Sequence, residues 1–389
     1  MPDLVTGPPQ RTRESGGGIR VSAEVDGAQP LWFSVDETFA EMLSERADHI
    51  AVALLLPAMR YGRNLHVGGT VTDTLLHRLN HDAQALVRSV HPEYRTITVT
   101  ADETAEAGSP AAGVATGFSG GVDSFATLSE YTGDGVPSSL RVTHLLNNNV
   151  GAHGDDGADL WQKRFDGLRP VAQELGLPFI RVDSNIGEHY PRMGFMQTVT
   201  FRNAAVIHVL GGGIGRSYHA SEGSFGNISM PPRHGDIGLV GAMTFPLLST
   251  AALTLESTSS GMSRVERTLA LVGRPVSRHL DVCVDANPDR TTNCSHCWKC
   301  MRTMLTLEIA GSLDEFVPAV FVREPYERRR EQYYAELLSS TEPNDIELVE
   351  FGDAHGWHWG LGARGRALAR RTEEHARDAA RGIRRRLRR

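Results

Sequence analysis

Cysteine is scarce in this chain, and long apolar runs are missing. Its 389 residues include only four cysteines: Cys283, Cys294, Cys297 and Cys300. The longest apolar stretch, residues 50–59, is too short to cross a bilayer, so no membrane-spanning helix is expected. Residues 1–10 have no apolar centre of the kind a secretory leader needs. These absences predict a cytoplasmic location, where thiols stay reduced and free for metal. The pattern GxxxxGK(S/T) is also missing from the one glycine-rich turn of interest, which turns the reading away from γ-phosphate chemistry. No heptad or internal repeat is visible, which argues against a coiled coil or a solenoid.

What the chain does have is an apolar run, residues 113–118, followed by Ser119-Gly120-Gly121-Val122-Asp123-Ser124 and then a helical pattern to Tyr131. Strand, glycine turn and helix in that order aim backbone N–H groups at one point, at the positive end of a helix. Gly120 and Gly121 let an anion approach with no Cβ in the way. Ser119 and Ser124 add hydroxyl donors, and Asp123 is placed to hold Mg2+ against phosphate. The chemistry predicted is pyrophosphate binding; a purely structural glycine turn is the competing reading.

The cysteines are clustered. Cys294, Cys297 and Cys300 form C-x2-C-x2-C, with Cys283 upstream. Four thiolates close a tetrahedral shell, so Zn2+ in a structural role is expected. Disulfides are the alternative, and they need an oxidising compartment. His296 lies inside the cluster and is read as a bystander.

At this point the sequence resembles a known family. Ser119 to Ser124 matches the SGGxDS signature of the N-type ATP pyrophosphatases, the PP-loop superfamily. With the cysteine set behind it, the arrangement is most like 7-cyano-7-deazaguanine synthase. Thr200-Phe201-Arg202-Asn203 is similar to that family's Arg-Asn segment, which opens a helix near the nucleotide. The resemblance covers roughly residues 110–312. It implies that Ser119, Asp123, Ser124 and Arg202 are catalytic. It also implies that Phe118, Ser119, Gly120, Gly121, Val122, Asp123, Ser124 and Asn203 bind ATP. The chain departs from the family after the second strand, where it reads Asn147-Asn148-Asn149-Val150-Gly151-Ala152-His153-Gly154-Asp155-Asp156 in place of a substrate-binding segment with tyrosine and histidine. The reaction type therefore carries over and the deazaguanine substrate does not.

The fold expected is α/β: a doubly wound, Rossmann-like parallel sheet of the PP-loop type, with an N-terminal α+β domain and a C-terminal zinc module. The divisions read from the sequence are 1–17 disordered, 18–107 the α+β domain, 110–280 the ATP pyrophosphatase domain, 281–312 the zinc module and 313–389 a helical extension with a basic tail. Within the first domain a hairpin is expected over 19–35, turning at Asp26-Gly27. A buried helix is expected over 50–61, a helix over 72–90, and a strand over 94–99. Strands at 140–146, 179–182 and 217–220 alternate with helices at 160–175 and 199–210. Residues 243–261 read as a Ser/Thr-rich loop that shapes an acceptor pocket or lies on the surface, with a helix over 263–271.

The function expected is an adenylating ligase: a carboxylate or amide oxygen takes AMP from ATP with loss of pyrophosphate, and ammonia or an amine then displaces AMP. All four cysteines are assigned to metal, so neither a fused glutaminase nor a sulfur-transfer thiol is expected. The alternative is a nucleotide-binding regulatory or modification-complex subunit without small-molecule turnover. Lys299, Arg302 and Arg274 are candidate partners of leaving pyrophosphate. A homodimer is compatible with this reading. From Leu361 onward eleven arginines face only Glu373, Glu374 and Asp378, so the rest of the chain is more acidic than the net −7. The tail lacks interleaved aromatics, so nucleic-acid contact is the less favoured reading of it.

Overall fold

The structure is a computed structural model, and it describes residues 2–152, 157–285 and 293–372. The chain divides into two compact units, residues 1–261 and 262–389.

The first unit is built on two sheets. Its strands are β1 (Leu4–Val5), β2 (Gln10–Arg13), β3 (Gly18–Ala23), β4 (Leu31–Asp36), β5 (Leu65–Thr72), β6 (Val99–Ala105), β7 (Gly113–Gly117), β8 (His144–Asn149), β9 (Phe179–Ser184), β10 (Ile214–Ala220) and β11 (Thr254–Thr258). Its helices are α1 (Asp48–Tyr61), α2 (Asp73–Asn80), α3 (Asp82–Val90), α4 (Val122–Tyr131), α5 (Ala158–Leu175), α6 (Val199–Val209) and α7 (Gly241–Leu247). The small sheet, β1-β5-β6, is parallel. The large sheet runs β11-β10-β7-β8-β9-β4-β3-β2. Its first five strands are mutually parallel, and β4, β3 and β2 join antiparallel.

β7 is the pivot of the parallel strands. β8 and β9 follow it on one side, β10 and β11 on the other. Right-handed crossovers then place α4 and α5 on one face and α6 on the opposite face. Alternation along the strands agrees. Ala115, Leu146, Ile180 and Val182 enter one apolar core with α1 and α6. On the other face Phe118 meets Phe125 and Phe179 edge-on at 5.1 and 6.2 Å, and Phe165 stacks on Phe179 at 4.4 Å. α1 is buried over residues 48–59, as its unbroken apolar run demands.

Several expectations are corrected. Residues 2–17 are not disordered: β1 pairs with β5, and β2 pairs with β3. Backbone hydrogen bonds, the buried Leu4 and Thr6, and side-chain bonds of Arg11 and Glu14 hold the segment. The hairpin forms where expected, but 18–107 is not a domain apart. Phe33, Ser34 and Val35 pair with Ser184, Asp183 and Val182, so the hairpin extends the main sheet. The single helix over 72–90 breaks at His81, with φ −128° and ψ −101°. Residues 94–98 are not a strand; Gln84 takes both backbone groups of Ile97, from its Oε1 at 2.9 Å and its Nε2 at 3.0 Å. Residues 243–261 hold most of α7 and all of the edge strand β11. Two of their hydroxyls are used locally, Ser249 Oγ accepting from Leu255 N at 2.9 Å and Thr250 Oγ1 from Leu253 N at 3.0 Å, while Phe245 and Leu255 line a cavity.

The second unit contains α8 (Arg264–Leu269), α9 (Trp298–Ile309), α10 (Arg323–Ser339) and α11 (Pro343–Ala354). α8 opens with a capping box, Ser263 with Glu266. Glu347 on α11 accepts from the backbone N–H of Arg264 and Val265 at 3.0 and 2.8 Å, which fixes the start of α8. The basic run from Arg381 to Arg389 lies outside the described residues.

Candidate functional site

β7 is buried along most of its length and ends at Gly117. The chain then turns. Phe118 N donates to Leu146 O at 2.7 Å, and Asn147 Nδ2 donates to Phe118 O at 2.8 Å. Gly120 has φ +75°, and a Cβ there would meet Leu168 Cδ2 at 2.5 Å. Both facts require glycine. Gly121 is the N-cap of α4 and offers no side-chain oxygen, so the first N–H groups of α4 have no intrahelical acceptor. Ser124 Oγ donates to Gly121 O at 2.9 Å and braces the turn. Ser119 is exposed, and Asp123 is half-buried on the first turn of α4.

Beside this turn, where strand succession reverses between β7 and β10, lies a small cavity of about 20 Å3, room for about one water. Gly117, Leu146, Asn148, Asn203, His219 and Phe245 are among its walls. Asn148 Nδ2 donates to Asn203 Oδ1 at 2.9 Å. Burial pushes the His219 imidazole down to about 4, and the nearby Asp123 carboxylate only partly offsets this. His219 is therefore a neutral ring at pH 7. Beyond β10, Asp236 is held above the usual carboxylate range by burial, against hydrogen bonds from the N–H groups of Gly238 and Leu239 and with Glu222.

The structure gathers part of the predicted set. Ser119, Gly120, Gly121, Asp123 and Ser124 share the turn, and Asn203 lines the adjacent cavity. Phe118 and Val122 contribute backbone there, because their side chains are core, at 1% and 0% exposed. Arg202 is enclosed, at 4% exposed. Its Nε donates to Thr198 Oγ1 and its Nη1 to Val150 O, both at 2.7 Å, and it lies over the rings of Tyr190 and Phe195 at 4.4 and 5.4 Å. It is not among the residues lining the cavity. Sequence reading gave no role to His219 or Trp161. Trp161 Nε1 donates to Asn147 Oδ1 at 2.6 Å and holds the end of β8. The signal available was polar side chains ending buried strands. Residues 153–156 of the Asn-rich segment lie outside the described residues.

The four cysteines converge in the second unit. Their sulfurs all lie within 4.8 Å of one another. The pairs Cys283–Cys297, Cys294–Cys300 and Cys297–Cys300 stand at 4.0, 3.9 and 3.4 Å. A disulfide needs about 2.05 Å. Four sulfurs about 2.3 Å from a central zinc are about 3.8 Å apart, so the set fits zinc. The crowding itself asks for a cation. Burial pushes the Cys294 thiol up to about 11, and hydrogen bonding to Cys283 raises Cys300, while hydrogen bonds from Cys283 and Cys300 lower Cys297. Four thiolates cannot coexist at these distances without positive charge between them. Asn293 clamps the arms: Oδ1 accepts from Val282 N and Cys283 N at 2.8 and 3.0 Å, and Nδ2 donates to Leu280 O and Val320 O at 2.8 and 3.1 Å. His296 is exposed, with Nδ1 at 2.8 Å from Cys294 O, as befits a bystander.

No protein-family model matches the chain, and neither the curated proteins nor the solved structures compared with it give a match. Its chemistry is therefore argued from its own residues. Arg302 is paired with Asp345 at 2.7 Å, and Arg274 Nε donates to Ala270 O at 2.8 Å, so both side chains already have acceptors. Among the described residues no helix is long and apolar enough to cross a membrane.

Proposed function

We propose that the chain is an ATP-dependent adenylating ligase of the PP-loop type, most like 7-cyano-7-deazaguanine synthase in plan. The supporting observation is the Ser119–Ser124 turn. Its positive-φ glycine, uncapped helix start and Asp123 lie at the carboxyl end of the central strand, beside a cavity at the reversal of strand succession. Ligands of doubly wound, Rossmann-like sheets bind at that point.

In this reading the N–H groups at the start of α4, with Ser119, hold the β and γ phosphates of ATP, and the small cavity beside the turn opens to admit the base. Asp123 would hold Mg2+, which neutralises charge on the pyrophosphate as it leaves. A carboxylate or amide oxygen of the acceptor attacks the α-phosphorus; the α–β bridge breaks and pyrophosphate departs. Ammonia or an amine then attacks the acyl carbon, and AMP leaves. The protein's part is positioning and charge stabilisation. Arg202 acts as a positioning residue, since its guanidinium is committed to Thr198 and Val150. The cysteine centre would hold zinc as a structural ion, with no open position for chemistry.

The test is a screen of carboxylates and deazapurines with the purified full chain, ATP and Mg2+, reading both AMP and pyrophosphate. Acceptor-dependent release of both supports the reading. Release of ADP and phosphate would overturn it, and ATP binding without turnover for any acceptor would favour the regulatory alternative.

A further inference from the structure

A second cavity in the first unit, away from the Ser119 turn in its lining, has a volume of about 360 Å3. Leu4, Val25, Leu54 and Pro57 give it an apolar wall, and Tyr61 adds an aromatic ring. This size and character are typical of small-molecule sites.

One polar group in it is unusual. His189 lines the cavity and is 8% exposed, yet its Nε2 has no hydrogen-bond partner. The ring is also hydrogen-bonded to the backbone carbonyl of Pro30, and burial lowers its proton affinity more than Glu188 restores it. A neutral imidazole that donates one N–H to a carbonyl presents its other nitrogen as an acceptor. A buried acceptor without a donor is left desolvated and unpaired, a cost that a ligand N–H recovers.

The charges on the walls narrow the ligand. Asp26 and Glu188 line the cavity and are exposed. The one guanidinium in the lining, Arg63, is partly used, donating from Nε to Pro2 O and from Nη2 to Asp3 O at 2.9 and 2.8 Å. Two acids outnumber the one guanidinium on the walls, so the balance of charge favours a cation over a carboxylate or phosphate.

We propose that this cavity binds a small aromatic amine, with the ring against Leu54, Pro57 and Tyr61 and an amine N–H donated to His189 Nε2. The proposal does not depend on the ligase reading.

Tryptamine is the probe, titrated calorimetrically into the full chain without ATP. Saturable binding with one site is expected, with no binding of indole-3-acetate, which carries the same ring and the opposite charge. His189→Phe keeps an aromatic ring, somewhat larger, and removes the acceptor; it is expected to weaken binding about ten-fold. His189→Gln, which restores an acceptor, is expected to recover part of that loss. Glu188→Gln, at an exposed position, is expected to weaken binding with no change in melting temperature. Asp123→Asn is expected to bind tryptamine as wild type does, which separates this cavity from the nucleotide reading. Absence of saturable tryptamine binding to the wild type would overturn the proposal. So would equal affinity in His189→Phe, or indole-3-acetate binding as tightly as tryptamine.

Discussion

The amide of Asn148 donates to Asn203 Oδ1 at 2.9 Å, and Asn203 in turn donates to Val199 O at 3.0 Å. This relay fixes the orientation of both side chains and ties the end of β8 to the first turns of α6. It leaves Asn148 Oδ1 buried with no partner, on a residue that lines the cavity. An acceptor held this way suits the exocyclic amino group of adenine. Asn148→Ala is expected to raise the dissociation constant of ATP about ten-fold and to narrow its advantage over ITP. Equal discrimination in the variant, by competitive titration, would count against that role.

Asp123→Asn is expected to keep the fold and lose most pyrophosphate release, by roughly a hundred-fold or more. The carboxylate stands on the first turn of α4, half-buried beside the glycine turn. Circular dichroism together with a pyrophosphate assay separates lost chemistry from lost structure. Near wild-type turnover would remove Asp123 from the machinery.

Gly120→Ala combines two penalties, a residue at φ +75° and a methyl 2.5 Å from Leu168 Cδ2. The conformational part alone is about 1 kcal/mol or more. The expected result is a lower denaturation midpoint and weaker nucleotide binding, because the turn is strained at positive φ and the Leu168 side chain must move to admit the methyl. Gly133→Ala is the control, since nothing lies within 4 Å of its added Cβ and it is not a wall of the cavity.

Freshly purified protein is expected to carry about one zinc per chain by elemental analysis. Cys297→Ser is expected to reduce soluble yield more than turnover of the surviving protein, because metal binding at a closed site is coupled to folding. Unchelated protein free of zinc, with full stability, would show that the four sulfurs need no ion.

Acid stability follows from buried imidazoles. Burial takes His49 down to about 3 and His219 down to about 4, from an ordinary value of 6.5, and lowers His208 as well. Between pH 6.5 and 4 the unfolded chain therefore binds more protons than the folded one, and stability falls as pH falls. Above pH 6.5 these groups contribute no slope. Urea midpoints measured from pH 7.5 to 4.5 are expected to be flat and then to decline, and His49→Gln to decline less steeply. A midpoint that rises on acidification would contradict this.

Much of the parallel-strand region was legible because its periodicities are local. The run at 113–117, the glycine turn and the helix after it each follow from adjacent residues, and the cysteine spacing spoke for itself. What sequence could not show was partnership across distance. Residues 94–98 look like a strand, but Gln84 takes the place of a neighbouring backbone. Residues 243–261 look like a loop, because hydroxyls that accept local N–H groups resemble solvent-facing ones. The resemblance implies a catalytic role for Arg202. Its burial under Tyr190 and Phe195 depends on residues whose packing no motif encodes.

The pairing of β4 with β9 has a consequence for how the chain is made. Trp32 N donates to Asn185 Oδ1 across 153 positions of sequence. At a synthesis rate of about 5–20 residues per second, the β3–β4 hairpin waits on the order of ten to thirty seconds for its neighbour. During that interval the open edge of β4 offers unpaired N–H and C=O groups beside the apolar faces of Phe33 and Val35, which are buried once β9 arrives. The earliest part of this sheet to leave the ribosome is thus among the last to be closed. Nascent chains halted before residue 179 are where a chaperone would find it.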